Sequence, residues 1–326
     1  MKRLIYFFSL ISIYGYSQFA PQAGQIGTTA IYKDSSIIVN WATGCKITRG
    51  WQDISNTGLG KTTAGDSSLA IGHADGSGIV SLGDGGSAIL TFQSPIKNGL
   101  GFDFCVFENS FNATFLELAF VEVSSDGVNF FRFPATSNTQ TITQIGAFDN
   151  VGDATKLNNL AGKYQANYGT PFDLQDLQGI SGLDVSSITH VKIIDVVGNI
   201  NAPYATYDTN NNPINDPWAT PFASSGFDLD AIGVMNQQPV GINKNADLNN
   251  LINVFPNPCT DFFTIYSNSG LVKSYTLVNE FAEIILAEDF NNTAVHLNTS
   301  SLNKGFYILK LVLKNGKQVS KKIIKL

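Results

Sequence analysis

Residues 253–258, Asn-Val-Phe-Pro-Asn-Pro, set the strongest constraint on how this chain can fold. Two prolines within three residues cannot lie inside a helix or a central strand, because proline lacks the amide N–H and its ring fixes φ. Regular structure must therefore begin anew at this point. With 326 residues, the chain is also long enough for roughly two domains. The hexapeptide thus predicts a long first domain followed by a short second one.

Charge is distributed unevenly along the chain. Residues 252–326 carry eight lysines and five acidic residues, and residues 1–17 carry two basic ones, so the stretch 18–251 holds a net charge of −11 within the total of −6. Such an acidic stretch excludes nucleic acid as a partner, since phosphates need Lys and Arg. It is compatible with a hard cation such as calcium, and equally with a charge that only favours solubility.

The first 17 residues predict a secretory signal peptide. Lys2 and Arg3 precede an apolar run over residues 4–14, and Gly15-Tyr-Ser17 places small residues where a signal peptidase cleaves. The run is too short to span a membrane, and no later stretch reaches the roughly 18 apolar residues that a spanning helix needs. We therefore expect cleavage after Ser17, export through the periplasm, and no transmembrane segment.

The sequence predicts an all-β chain. Only 14% of the residues are charged, and short apolar runs alternate with Gly- and Asn-containing turns. An Asp126-Gly127 turn predicts a hairpin. Many short strands of this kind indicate a jelly-roll β-sandwich over residues 18–236, with a polar linker at 237–251 and a second domain at 252–326. The main predicted strands are 87–93, 101–108, 115–124, 190–197 and 227–235.

Three cysteines leave at least one thiol unpaired. Cys105 lies in an apolar strand and is expected to be a small core residue. The sequence leaves a Cys45–Cys105 disulfide open, and Cys259 is expected to pair with nothing. No Cys/His spacing predicts a zinc site.

Acidic residues inside apolar strands are the most informative chemical feature. Alternation places Asp228 and Asp230 on one face of their strand together with Ile232 and Val234. By the same alternation Asp195 shares a face with the apolar residues of the strand 190–197. Burying an ionised carboxylate alone costs several kcal/mol, so each such acid needs a partner.

A bound calcium ion would satisfy two or three of these carboxylates. The predicted ligands are Asp228, Asp230, Asp195 and Glu108. Glu117 and Glu122 also lie within an apolar segment. The alternative is that these acids lie at strand ends and accept hydrogen bonds from backbone N–H groups. Residues 208–216 resemble the opening of an EF-hand loop, but Pro213 replaces the required glycine, so a polar turn is favoured over a cation loop.

Catalytic motifs are absent from the sequence. It contains no Gly-x-Ser-x-Gly, no His-Glu-x-x-His and no phosphate-binding glycine loop, so we expect no enzyme activity. Paired carboxylates leave a glycosidase open as the lesser alternative. Aromatic residues in loops over a sandwich can stack on sugar rings, and Trp218, Tyr204 and Tyr207 are the predicted ligand-binding residues. The alternative for each of them is a place in the core.

The tail resembles the type A C-terminal sorting domain of the type IX secretion system of Bacteroidetes. The matching residues are 254–258 (Val-Phe-Pro-Asn-Pro), 263–265 (Phe-Thr-Ile), 302–309 (Leu-Asn-Lys-Gly-Phe-Tyr-Ile-Leu) and 316–326, ending in Lys-Lys-Ile-Ile-Lys-Leu. The resemblance implies a small seven-stranded, immunoglobulin-like β-sandwich that the export machinery at the outer membrane recognises. It also implies that the tail is usually cleaved and replaced by a lipopolysaccharide anchor.

Residues 78–235 resemble a family of bacterial cell-surface proteins without assigned activity. The resemblance is carried by residues 81–87 (Ser-Leu-Gly-Asp-Gly-Gly-Ser), 102–109 (Phe-Asp-Phe-Cys-Val-Phe-Glu-Asn), 121–128 and 225–234. The Val-Ser-Ser-Asp-Gly-Val-Asn-Phe piece is also similar to discoidin and galactose-binding jelly rolls. Those domains commonly carry a structural calcium. Some relatives accompany outer-membrane nutrient receptors, including those for corrinoids.

Taken together, these features predict a secreted, cell-surface binding protein that takes a glycan or other carbohydrate. The alternative is an accessory protein that captures a nutrient such as a corrinoid for a TonB-dependent receptor. A hydrolase is the third possibility.

Overall fold

The computed structural model describes residues 19–238, 252–267, 271–290, 292–314, 316 and 318–326. The predicted signal peptide at 1–17 and residues 239–251 of the predicted linker lie outside the described residues. The described residues form two compact units, divided between residues 240 and 241. Each unit is all-β, and the strand pairings in both are antiparallel.

The first sheet of the first unit has the order β1-β11-β6-β13-β2, and the short β4 pairs with β13. Its strands are β1 (Ile31–Tyr32), β2 (Asn40–Trp41), β4 (Val80–Ser81), β6 (Phe104–Glu108), β11 (Tyr168–Phe172) and β13 (Asp228–Val234).

The second sheet has the order β3-β5-β12-β7-β8. Its strands are β3 (Gly44–Thr48), β5 (Ser87–Ile96), β7 (Ala119–Ser124), β8 (Phe131–Arg132) and β12 (Ile188–Asp195). A separate ladder pairs β9 (Thr136–Ser137) with β10 (Leu157–Asn158). Four short 3₁₀ helices lie in the connections, at Thr57–Leu59, Ser67–Ala70, Ala154–Lys156 and Leu174–Leu177.

The two sheets pack face to face around one apolar core. Phe104 and Val106 of β6, Leu90 of β5, and Val191 and Ile193 of β12 are all fully buried in it. Burying such side chains stabilises the fold by roughly 1.5–3 kcal/mol each. Two smaller clusters, around Leu118 and around Phe107, lie outside this core. The all-β prediction for this unit is confirmed.

The strand β7 is shorter than the predicted strand 115–124. The structure begins β7 at Ala119, because the Leu118 N–H donates to the Asp216 Oδ2 carboxylate oxygen at 2.9 Å. The hairpin at Asp126-Gly127 is confirmed, since β7 pairs with β8 and the Asp126 carboxylate accepts from the N–H groups of Val128 and Asn129.

The disulfide left open between Cys45 and Cys105 does not form, and all three cysteines are free thiols. Cys45 lies on β3 and packs against the main core, whereas Cys105 lies on β6 in the cluster around Phe107. The two side chains therefore belong to different sheets and different clusters. Cys105 is fully buried, as predicted for a small core residue.

The second unit is a smaller sandwich of a three-stranded sheet, β14-β15-β18, and a four-stranded sheet, β17-β16-β19-β20. The described residues thus supply the seven strands expected of a sorting domain. Lysines line the edge strand β20, which discourages edge-to-edge aggregation. The strands are β14 (Ile252–Phe255), β15 (Phe262–Ser267), β16 (Val272–Val278), β17 (Ile284–Asp289), β18 (Ala294–Asn298), β19 (Gly305–Leu313) and β20 (Gln318–Lys325).

Across the described ranges, no helix has both the length and the apolarity required to cross a bilayer.

Candidate functional site

A cavity of about 280 Å³ lies in the first unit, where β6 ends and β13 begins. Three acidic side chains line it: Glu108, Glu117 and Asp228. We call it the acidic cavity. The remaining lining residues are Asn109, Ser110, Phe111, Phe115, Ala147, Phe148, Thr220, Phe222 and Ser224.

Glu108 is the last residue of β6, and its side chain is only 1% exposed. Its Oε2 accepts a hydrogen bond from the Ser110 N–H at 2.8 Å. Its Oε1 is buried and accepts no hydrogen bond from any residue that the structure describes. A buried acceptor without a donor carries a desolvation cost of about 1–3 kcal/mol, and more when it is charged. Glu108 therefore lines the acidic cavity while one of its two carboxyl oxygens is buried without a donor.

Glu117 lies in the extended segment that precedes β7. Its neighbours Leu116 and Leu118 are buried in the cluster on one side of this segment, and Glu117 lines the acidic cavity. The residue is 9% exposed, and no donor in the described part of the chain reaches its carboxylate. Glu117 is thus a second carboxylate whose acceptors are not used by the protein.

Asp228, the first residue of β13, is held by the Ser81 hydroxyl, which donates to its Oδ1. Burial raises the pKa of Asp228 to about 7, against the opposing effects of this hydrogen bond and of the Arg49 charge. Burial also raises the pKa of Glu108 and of Glu117 well above their usual range, and the Asp228 charge adds to both shifts. The charge of Asp228 thus makes both glutamates harder to ionise, and the charge of Glu108 does the same to Glu117.

Phenylalanine rings surround the acidic groups. Phe111 is 69% exposed and stacks on the buried Phe115, with ring centroids 4.5 Å apart. Phe148 is 71% exposed, and its ring centroid lies 5.8 Å from that of Phe222, which is also exposed. Exposed aromatic rings around recessed acceptors are a common form of small-ligand site.

The structure corrects the predicted face of β13. The register shifts between Leu229 and Ala231, so a bulge inserts Asp230 as an extra residue. Ile232 is buried in the main core, whereas the Asp230 carboxylate accepts hydrogen bonds from the Asp75 and Gly76 N–H groups, at 3.3 and 3.0 Å. The prediction that Asp230 shares a face with Ile232 and Val234 is therefore wrong, because a bulge reverses the alternation.

Asp195 does lie on the buried face of β12, as alternation predicted. Its Oδ1 accepts from the Phe227 N–H at 2.8 Å and its Oδ2 from the Gly85 N–H at 3.0 Å. This is the alternative that the sequence left open, an acid at a strand end that is satisfied by backbone donors.

The four predicted calcium ligands do not form a common coordination site. In the chain as far as it is described, no group of three or more His, Cys, Asp or Glu side chains is placed to hold a metal ion. Asp195 and Asp230 are occupied by separate pairs of backbone N–H groups. Only Glu108 and Asp228 line the same cavity. Calcium binding stays a prediction for this unit, and these four residues do not fit it.

The predicted aromatic ligand-binding residues lie apart from the acidic cavity. The Trp218 indole N–H donates to the Asp84 Oδ2 at 3.1 Å, and its ring is partly exposed. Tyr207 is 44% exposed and Tyr204 is partly exposed, in the loop that follows Gly198. Of the three, Trp218 is nearest to the cavity along the sequence, since it precedes the lining residue Thr220 by two residues. Ligand binding by these three rings stays a prediction.

The polar turn favoured for residues 208–216 is confirmed. The Asp208 Oδ1 accepts hydrogen bonds from the N–H groups of Asn210 and Asn212, at 2.9 and 2.8 Å. Its Oδ2 accepts from the Ser137 N–H at 3.1 Å. The carboxylate therefore organises its own loop.

The sequence did not reveal that Glu117 shares one site with the exposed rings of Phe111, Phe148 and Phe222, which we call the phenylalanine rim. Glu117 carried a usable signal, since it is a charged residue between two leucines. Phe111, Phe148 and Phe222 carried none, because they lie in three separate loops without periodicity.

Comparison with known proteins identifies the second unit. Residues 253–325 match the secretion system C-terminal sorting domain family. The chain therefore carries a type IX sorting tail, and it is a secreted, cell-surface protein that interacts with that machinery. No curated protein matches the chain.

Solved structures resemble the chain only distantly. PorZ of the type IX secretion system of Porphyromonas gingivalis has 17% identity and a TM-score of 0.22, over 30% of this chain and 14% of PorZ. The β-glucuronidase of Ruminococcus gnavus has 9% identity and a TM-score of 0.22, over 87% of this chain and 44% of the enzyme. The chain thus spans less than half the length of each. At these scores the likenesses carry no inference about ligand or activity.

Proposed function

We propose that the protein is a surface-displayed binding protein whose first unit takes a small carbohydrate in the acidic cavity. The observation that supports this is the combination of recessed carboxyl oxygens with exposed phenyl rings in one cavity of about 280 Å³. That volume is close to the lower end of small-ligand sites and is suited to about one sugar ring. A sugar offers hydroxyl donors around its edge and an apolar face for stacking.

Each group has a role in this proposal. Glu108 and Glu117 accept hydrogen bonds from ligand hydroxyl groups, which supply the donors that the protein does not. Phe148 and Phe222 cover the apolar face of the ring. Export by the sorting tail brings the cavity to the cell exterior, where glycans are met.

Capture of a corrinoid is the alternative, and the size of the cavity disfavours it. A corrin macrocycle is several times larger than a sugar ring, so most of it would bind outside the acidic cavity. Hydrolysis is the other alternative, because carboxyl groups with raised pKa values can act as acid and base. We favour binding over hydrolysis because the sequence contains no catalytic motif.

Binding of a carbohydrate panel to the purified full-length chain tests the proposal. Titration calorimetry should detect at least one mono- or disaccharide, and Phe148→Ala with Phe222→Ala should weaken its binding by roughly tenfold, as expected on losing about 1.4 kcal/mol of ring contact. The matched control is Phe281→Ala, which removes an equally exposed ring (76%) from the sorting unit and should leave the Kd unchanged.

Two outcomes would contradict it. If no carbohydrate binds, the cavity does not serve this class of ligand. If aryl glycosides are hydrolysed, and Glu108→Gln abolishes that hydrolysis, the protein is an enzyme and not a binding protein.

A further inference from the structure

The acidic cavity brings together three carboxyl groups, and no lysine, arginine or histidine is among the described residues that line it. Ion pairs to carboxylates in the described residues involve Asp34 and Glu122, neither of which lines the cavity. The unpaired set is Glu108, Glu117 and Asp228. Removal from water without a counter-charge disfavours the ionised form of such groups, and a cationic ligand would restore it.

Two cations of the first unit, Arg49 and the buried Lys163, are already engaged by other groups. The Arg49 guanidinium acts on Asp228 at a distance, but it donates its hydrogen bonds to the carbonyl oxygens of Ala64, Gly65 and Ser81. The buried Lys163 ammonium donates to the Leu157 carbonyl oxygen at 2.8 Å. Neither residue lines the cavity. Within the described residues, the three carboxyl groups of the cavity therefore have no cationic group in direct contact with them, and a ligand could supply one.

The unpartnered Oε1 of Glu108 shows where a donor is missing. The neighbouring Oε2 is satisfied by the Ser110 N–H, so the carboxylate is held in place while one oxygen stays free. Glu117 adds acceptors that no described protein group uses. A ligand that carries several N–H donors and a positive charge would satisfy both residues at once.

The chemistry of the walls favours an organic cation over a metal ion. Among the residues that the structure describes, no three carboxylates are spaced to coordinate one metal. The exposed rings of Phe111, Phe148 and Phe222 would offer nothing to a hydrated metal ion. They attract an ammonium group through their π faces and cover the carbon skeleton that carries it.

We propose that the acidic cavity recognises an ammonium group on a small, sugar-sized body, so that the carbohydrate of the proposed function is an amino sugar with a free amine. This inference rests on the proposed function and narrows it to one chemical class. The ammonium would lie between Glu108 and Glu117, and the rest of the ligand against the phenylalanine rim. The same chemistry could come from a free amino sugar or from a simple alkyl amine.

Titration calorimetry on the purified full-length chain separates these cases. The probes are glucosamine, glucose, N-acetylglucosamine, cadaverine and calcium chloride, each alone. Glucosamine should bind roughly thirtyfold or more tightly than glucose or N-acetylglucosamine, as expected for a charge pair that is lost. Glu108→Gln with Glu117→Gln should remove that preference. The control Glu122→Gln changes an ion-paired carboxylate of β7 outside the cavity and should keep it.

The variants are expected to fold, because replacing a buried carboxylate by its neutral isostere removes a desolvation cost. A melting temperature at or above that of the wild type establishes this for each variant. Equal binding of glucose and glucosamine would overturn the ammonium inference and leave carbohydrate binding intact. Binding of cadaverine without any sugar would support the ammonium site and overturn the carbohydrate. Calcium binding that Glu108→Gln with Glu117→Gln abolishes would overturn it in favour of a metal.

Discussion

At the scale of single residues, the notable feature is a set of acids that the fold keeps away from water. Burial raises the pKa of Asp228 to about 7, and those of Asp84 and Asp230 to about 6. A carboxyl group whose pKa is raised in the folded state binds its proton more tightly there than in the unfolded chain. Its contribution to stability therefore decreases as pH rises from its unfolded pKa, near 4, through its folded pKa.

This loss of stability with rising pH can be tested at Asp228, whose charged neighbours are Glu108, Glu117 and Arg49. The first unit should melt at a lower temperature at pH 8 than at pH 5. Between pH 5 and pH 8, Asp228→Asn should reduce the loss in free energy of unfolding by roughly 2 kcal/mol. This corresponds to a loss in melting temperature that is smaller by roughly 4–8 °C. Tryptophan fluorescence reports on this unit alone, because Trp41, Trp51 and Trp218 are the three tryptophans of the chain.

The matched control is Asp126→Asn. Hydrogen bonds from Asn129 and Val128 hold the pKa of that exposed carboxyl below its usual range, so it stays ionised between pH 5 and pH 8. Between pH 5 and pH 8, the melting temperature of Asp126→Asn should fall by as much as that of the wild type. A wild-type melting temperature that rises with pH would contradict the burial of these acids.

At the scale of elements, Asp195 connects the two sheets. It ends β12 in one sheet and accepts from Phe227, which precedes β13 in the other, and from Gly85 in the turn before β5. Gly226 permits this approach: its φ is +69°, and a Cβ there would lie 2.6 Å from the Asp195 Oδ1. One carboxylate therefore fixes the spacing of three elements.

Asp195→Ala should lower the free energy of unfolding of the first unit by about 2–4 kcal/mol, because two buried N–H groups lose their acceptor. Asp195→Asn should cost less, since its amide oxygen still accepts one of the two hydrogen bonds. Asp184→Ala, at an exposed turn where the carboxylate accepts from Ser186, is the control and should change little. Urea unfolding followed by tryptophan fluorescence measures all three. If Asp195→Ala and Asp184→Ala lowered the free energy of unfolding equally, the role of Asp195 in connecting the two sheets would be contradicted.

Alternation in the sequence predicts strands well and side-chain faces less well. It placed Asp195 on the buried side of β12, because β12 is regular around that residue. It gave the wrong face for Asp230, because the strand contains a bulge at this residue. No residue type in the strand predicts that bulge. The acidic cavity could not be predicted from the sequence for a related reason. Its members lie up to 120 residues apart, from Glu108 to Asp228, and only the packing of loops brings them together.

At the scale of the whole molecule, the two units differ in what they do. The first contains the acidic cavity, and the second is the sorting domain that the export machinery recognises. The sorting motif was readable because it is a contiguous local pattern, from the prolines at 256 and 258 to the lysines of β20.

Deleting residues 252–326 should therefore leave the protein in the periplasm. Cell fractionation with an antibody to the first unit measures this. Fusing residues 252–326 to an unrelated periplasmic reporter should bring that reporter to the cell surface, which is the positive control. Normal surface levels of the truncated protein would mean that export depends on the first unit.

The unsatisfied oxygen of Glu108 has a consequence for how such a protein changes over time. Neutral replacements at Glu108 and Glu117 should make the fold more robust and its recognition poorer. A selection for heat resistance alone should therefore accumulate amide or apolar residues at these two positions, whereas a selection for capture should retain the acids. The two pressures act in opposite directions on the same pair of side chains, so their identity in any descendant reports which pressure prevailed.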